Sequence, residues 1–297
     1  MSKKTQPHSL FGRSEAEIEA ELKRFDPELP RYRSTQVYNA LYGKRIRSFD
    51  EMTELPRELR MKLAEAFPIS QPKITHESRS VDGTIKYLFE LSDGCTIESV
   101  LIPSEMRDAH GAARRKTICL STQVGCPLDC KFCATATLKL KRDLTVAEII
   151  AQFFEVERSS GETITNVVYM GMGEPLLNYD NVIASLRILT DKKLEILGAK
   201  RITVSTSGFP EEIVSFAKEG LGVKLALSLH ATTDDLRTKL MPINKKHRLD
   251  DVISAMEEYY RRTKIPVTYE YILFQGLNDS LADAKRLAKI TRRVPSK

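Results

Sequence analysis

The sequence predicts an α/β protein: a partial (β/α) barrel preceded by a small all-helical unit and a linking β-hairpin. Three observations predict it. From Lys116 onward, apolar strand-like runs alternate with stretches of helical period. Residues 83–103 alternate apolar and polar about a Ser-Asp-Gly turn. Residues 10–68 carry helix start and stop signals.

Residues 1 to about 10 are expected to form a mobile tail. Ser14 and Glu17 then make a capping box, opening a helix that ends near Phe25 before Pro27 and Pro30. "STQVYNALYGK" reads as a second short helix stopped by Gly43, and Pro56 starts a third with Leu59, Leu63 and Phe67 on one face. In "TIKYLFEL", Ile85, Tyr87, Phe89 and Leu91 share a face, and "CTIESVLIP" returns to complete the hairpin. "SEMRDAHGAARRK" is a polar loop.

The barrel strands are "TICLST", "NVVYMGM", "RITVSTS", "VKLALSLH" and "VTYEYILF", with helices at 145–158, 179–191, 210–219, 249–263 and 280–292. Thr145 and Glu148 cap the first helix, and Gly220 stops the third. Continuous apolar strands separated by helices imply a parallel sheet covered by helices. Chemistry in such a barrel gathers at the C-terminal ends of the strands. The organisation expected is a basic helical unit over 1–70, a hairpin and linker over 71–115, and the barrel over 116–297. The chain ends where a sixth strand is expected to begin, so it reads as truncated before that strand.

No run approaches the roughly 18 apolar residues that span a bilayer, and the N-terminus has no apolar core of a secretory signal. The expectation is a cytoplasmic protein without a membrane partner, in which clustered cysteines serve a metal or catalysis rather than disulfides. Net charge is +6, and residues 31–62 contribute +4 of it, eight basic against four acidic residues. That concentration is either a polyanion-binding face or a solvated helix surface.

Three of the five cysteines fall in "GCPLDCKFC", at 126, 130 and 133. Structural zinc takes four Cys or His ligands from two local pairs, and here there is one triplet, with His110 and His230 as distant candidates. A 4Fe–4S cube suits three thiolates better, leaving one iron open for a substrate or cofactor. Phe132 beside the last cysteine shields such a cluster or packs as an ordinary core residue.

The triplet after a first barrel strand resembles the CxxxCxxC motif of radical S-adenosylmethionine (SAM) enzymes. "TQVGCPLDCKFCATA", "NVVYMGMGEPLLNYDNV", "RITVSTSG", "LALSLHA" and "MPINKKH", in that order, resemble the RNA adenine C2-methyltransferases within that superfamily, over residues 14 to 297. The resemblance implies that Cys126, Cys130 and Cys133 bind a 4Fe–4S cluster that chelates SAM. It implies that Gly173, Glu174, Ser205, Ser228, Leu229 and His230 line the SAM pocket, that Glu98 is the proton acceptor, and that Cys119 closes a disulfide during turnover. The implied reaction methylates C2 of an adenine in 23S rRNA and, in dual-specificity members, in tRNA beside the anticodon. A distant cysteine carries the methyl group, and flavodoxin or ferredoxin supplies electrons to a monomeric enzyme. The basic N-terminal unit, with Arg114, Arg115, Lys116, Lys139, Lys141 and Arg142, is expected to hold folded RNA.

One departure from the family stands out. No cysteine follows Cys133, so the methyl-carrying cysteine is absent from these 297 residues, as is the family's SAM-contacting asparagine beyond the fifth βα unit. The chain as it stands is expected to bind a cluster without methylating RNA. The alternatives are a related radical SAM methyltransferase acting at adenine C8, or a non-catalytic RNA-binding protein holding a structural metal.

Overall fold

A computed structural model describes residues 9–106, 111 and 113–297. Most of the expected tail, and the centre of the polar loop with His110, lie outside the described residues. At Ser9 and Leu10 the tail expectation fails. Leu10 and Phe11 are buried, and the Phe11 ring stacks on Tyr42 at 5.5 Å. Two adjacent apolar side chains this close to a core bury rather than wave in water.

The helical unit consists of α1 (Glu15–Phe25), α2 (Tyr32–Tyr38) and α3 (Arg57–Ala66), with a π-helical turn over Asn39–Gly43. Both halves of the Ser14–Glu17 capping box form. Gly43 does end the second helical segment, but the left-handed residue that turns the chain is Arg45, at φ 58°. The Arg45 guanidinium lies over the Phe154 ring, and Tyr38 Oη donates to Asp191, so the unit shares the core of the rest.

One eight-stranded sheet runs through the remainder. Its strands are β1 (Lys73–Arg79), β2 (Ile85–Glu90), β3 (Thr96–Pro103), β4 (Lys116–Cys119), β7 (Asn166–Tyr169), β8 (Ile202–Thr206), β9 (Lys224–Ser228) and β10 (Thr268–Glu270), lying side by side in that order. A separate pair, β5 (Gln123–Val124) and β6 (Arg142–Asp143), brackets the cysteine loop. From β4 to β10 neighbours are parallel and consecutive, as a partial barrel requires. The hairpin β2–β3 is the expected one, but β3 also pairs antiparallel with β4, making hairpin and barrel a single sheet.

Helices α4 (Val146–Ser160), α5 (Tyr179–Leu189), α6 (Pro210–Lys218), α8 (Leu249–Thr263) and α9 (Leu281–Thr291) occupy the five expected positions. A further short helix, α7 (Asp234–Leu240), was not expected, and neither was β1. At the chain's end, Lys297 N–H donates to the Val267 carbonyl and Tyr269 N–H to that of Lys297, each at 2.9 Å, so these residues run parallel beside β10.

Candidate active site

Strand register decides which side chains share a face of the sheet, because hydrogen-bonded partners point the same way and neighbours alternate. Val100 pairs with Cys119, and Cys119 with Val168. Val168 pairs with Thr203, Ser205 with Ala226, and Glu270 with Ser228. Stepping by two from these pairs puts Glu98, Cys119, Ser205 and Ser228 on one face. Glu270 joins them there, a residue that sequence reasoning did not single out. The opposite face carries Ile97, Ser99, Leu101 and Ile118, all buried, with Ser99 bonded to Gln152 of α4.

The cysteine loop is sealed at its base. Lys141 N–H donates to Val124 O and Leu144 N–H to Thr122 O, pinning the returning chain against the outgoing one. Gly125 admits this closure: at φ +79°, a Cβ there would stand 1.7 Å from the Lys139 carbonyl oxygen. The far side is tied by Lys131 N–H, which donates to Leu240 O at 2.8 Å. Phe132 packs edge-on against His230 and joins an apolar cluster with Cys130, Leu240 and Met241.

All five cysteines are free thiols. Burial pushes Cys126 up to about 11 and Cys130 up to about 12, each thiol raised further by charge on neighbouring cysteines and on Glu174. Three thiols that influence one another, on a loop clamped at both ends, suit a group whose positive iron core favours thiolates. Among the described residues no three His, Cys, Asp or Glu side chains converge on a single ion. Cys126, Cys130 and Cys133 would instead each supply one thiolate to a multi-iron group. Cys119, at the end of β4, is also pushed up to about 11 by burial.

Gly173 and Glu174 follow β7, interlocked with Gln123 just before the cysteine loop. Gly173 has φ +100°, and a Cβ there would lie 2.5 Å from the Gln123 Cβ. The Gln123 Oε1 accepts from Glu174 N–H at 2.8 Å, and its Nε2 donates to Asp143. Gln123 is thus a positioning residue that sequence reasoning missed, and its place in the quoted "TQVGC" was the available signal. The Glu174 carboxylate, 2% exposed, accepts from the main-chain N–H groups of Ser207 and Leu176. Desolvation raises its pKa, against those hydrogen bonds.

His230 lies two residues past β9 in the left-handed region, at φ 50°. Its Nδ1 accepts from Ile272 N–H, while Asn278 donates to its carbonyl. Leu229 puts its side chain into the main core, and its amide and carbonyl are taken by Glu270 and Arg237. Glu98, half exposed, pairs with Lys86 at 2.9 Å.

Much of the basic charge of residues 31–62 is spent internally. Arg31, Lys44, Arg45, Arg47 and Lys62 pair with Glu19, Glu54, Glu157, Glu155 and Glu58. Lys116 and Arg142 also have carboxylate partners. Among the described residues, no carboxylate pairs with Arg114, Arg115, Lys139 or Lys141, and all four are exposed. A groove of about 640 Å³ between α1 and α5, lined by Glu15, Tyr38, Asp180 and Arg187, holds none of the site residues.

A partial barrel with such a loop at its strand ends is the architecture of enzymes that pair a 4Fe–4S cluster with SAM. The family model for the radical SAM superfamily matches residues 120–288, and that for the ribosomal RNA large subunit methyltransferase N-terminal domain matches 11–69. A Thermotoga maritima protein named "probable dual-specificity RNA methyltransferase RlmN" is 48% identical over 90% of this chain and 76% of its own length. A Geobacillus thermodenitrificans protein of the same name is 47% identical over 88% of this chain and 70% of its own. The crystal structure of a radical SAM methyltransferase from Sphaerobacter thermophilus superposes with a TM-score of 0.88 at 40% identity, covering 98% of this chain and 83% of that one. The chain belongs to the radical SAM superfamily and, within it, to the RlmN-type methyltransferases. Enzymes of this family use a 4Fe–4S cluster and SAM.

Proposed function

We propose that this chain carries the machinery of a methyltransferase acting at C2 of an adenine in 23S rRNA, and in tRNA beside the anticodon, by a route through a methylated cysteine that these 297 residues do not contain. The observation that supports this most is the shared sheet face of Glu98, Cys119, Ser205 and Ser228, beside the sealed triplet loop. Cys126, Cys130 and Cys133 would hold the cluster, which when bound supplies the electron that cleaves SAM. Gly173 would let the main chain approach the SAM amino group, and Glu174, its carboxylate held by two N–H groups, would accept from that ammonium. Ser205, Ser228, Leu229 and His230 would form the rest of that pocket. Glu98 would take the C2 proton, with Lys86 holding its carboxylate in place. Cys119 would supply one sulfur of the disulfide that releases product.

RNA would lie across Arg114, Arg115, Lys139 and Lys141, exposed cations that no carboxylate pairs with among the described residues. Among the described residues no helix is long and apolar enough to cross a membrane. A cytoplasmic monomer reduced by flavodoxin or ferredoxin completes the reading.

No cysteine follows Cys133 in these 297 residues. The 297-residue chain, reconstituted anaerobically and reduced with dithionite, is therefore expected to convert SAM to 5′-deoxyadenosine without methylating RNA. Mass spectrometry of nucleosides from treated RNA checks this: 2-methyladenosine made by the 297-residue chain would refute the methyl-cysteine route. 8-Methyladenosine would move the protein to the related C8 chemistry. One tightly held zinc and no SAM cleavage would make it a binding module.

A further inference from the structure

Among the described residues, Arg237 is the largest fully buried side chain, with none of its surface exposed. Its guanidinium donates to the carbonyls of Ser207 at 2.6 Å, Ser228 at 3.1 Å and Leu229 at 3.3 Å, and to Asn244 Oδ1 at 3.1 Å. None of these four acceptors carries a charge. The nearby Asp234 carboxylate is joined to Arg237 only through the Asn244 amide, and its direct partner is Arg248 at 3.0 Å, so it compensates Arg237 in part. A buried cation held only by neutral acceptors costs free energy unless an anion lies within reach.

The surroundings show where that anion belongs. Arg237 sits on α7, whose last residue, Leu240, accepts from the amide of Lys131, next to Cys130. Leu240 and Met241 pack with Cys130 and Phe132 in one apolar cluster. Arg237 also holds the Ser228 and Leu229 carbonyls just before His230, whose ring packs on Phe132 of the cysteine loop.

We infer that Arg237 is the built-in counter-charge of the iron–sulfur cluster, a positioning residue that makes the cluster easier to reduce. The inference rests on the reading that Cys126, Cys130 and Cys133 hold the cluster. An oxidised cube with core charge two plus and three thiolates carries one net negative charge. It takes one electron from a reductant such as dithionite and gains a second negative charge, with no bond made or broken. A fixed buried cation stabilises the doubly negative state more, so it raises the reduction potential. Removing it lowers that potential.

The test is a redox titration of the reconstituted 297-residue chain without SAM, so that the carboxylate of SAM cannot neutralise Arg237. Wild type is compared with Arg237→Gln, which loses the charge, and Arg237→Lys, which keeps it. Arg237→Gln is expected to disfavour reduction at least tenfold, about 59 mV for a one-electron couple. Arg237→Lys is expected to stay within half of that. Equal potentials in all three proteins overturn the inference, as does an equal shift in both variants, which would mark a merely structural role. If Arg237→Gln does not fold, Arg237→Met takes its place as the neutral variant. Failure of both neutral variants to fold would make Arg237 a folding residue and overturn the inference. Wild type that takes up no iron and sulfide refutes the cluster reading itself, a distinct outcome.

Discussion

The Phe132 ring meets the His230 imidazole edge-on, with 4.7 Å between centroids and 80° between planes. This contact locks the cysteine loop to the end of β9, which joins the two halves of the site. It also dries the imidazole. His230 is 5% exposed, and burial, followed by the Arg237 charge, holds its pKa down to about 4.

An imidazole that resists protonation when folded makes stability depend on pH. The unfolded imidazole protonates near its ordinary 6.5 and the folded one only near about 4. The stabilisation is therefore complete above about pH 6.5 and is lost as pH falls toward about 4. Its size is at most about 3.5 kcal/mol, from the fall of about 2.5 at roughly 1.4 kcal/mol per unit. Urea unfolding of the apo chain between pH 4 and 7 is expected to lose this slope in His230→Asn, since Asn tolerates the left-handed backbone. Equal slopes in the two proteins would rule it out.

Gly173→Ala should cost about 1–3 kcal/mol of stability and most of the SAM affinity. A methyl group at φ +100° would drive into Gln123 and so displace both Glu174 and the start of the cysteine loop. Chemical denaturation and SAM titration by calorimetry measure the two effects, and a variant with unchanged SAM affinity would contradict the assignment.

Gln152 crosses from α4 to the chain just ahead of the cysteine loop. Its Oε1 accepts from Ser99 Oγ and Ser121 N–H, and its Nε2 donates to the Ser121 carbonyl. Gln152→Leu strands these buried groups, at about 1–3 kcal/mol for each that finds no partner. A lower Tm with native circular dichroism is the expected result.

Cys126→Ala, Cys130→Ala and Cys133→Ala are each expected to lose nearly all bound iron after reconstitution, whereas Cys95→Ala should retain it. Iron and sulfide assays decide this. Retention of four irons by any of the three loop variants would remove that cysteine from the ligand set.

Lys139 and Lys141 flank the loop, and among the described residues neither has a carboxylate partner. Replacing both with Gln should flatten the log–log salt dependence of RNA-hairpin binding by about 1.5 to 2, one phosphate contact for each lysine. The same measurement on Arg31→Gln, whose charge Glu19 already engages, should change little.

The barrel was legible because its strands are apolar and its helices capped: both halves of the Thr145–Glu148 box form, and Gly220 turns left-handed where a stop was expected. β1 escaped notice because "KITHESR" lies at the sheet edge with no fully buried residue, so no period-two apolar pattern marks it. α7 is a seven-residue helix whose fully buried residue is an arginine, and burial of an arginine has no signature in a hydrophobic pattern. The basic segment was legible as charge but not as a surface. Only the fold shows Glu155 and Glu157, over a hundred residues away, neutralising Arg47 and Arg45.

The sequence by itself determined the order of the barrel strands and their five covering helices, the cysteine triplet and the glycine turns at Gly94 and Gly220, because those follow from local periodicity, spacing and backbone freedom. Tertiary structure alone decided which residues meet. Register across β3, β4, β8 and β9 set Glu98, Cys119, Ser205 and Ser228 on one face, and packing of α7 buried Arg237 beside the cysteine loop. Those are long-range pairings, and their energies depend on neighbours that no local window of sequence contains.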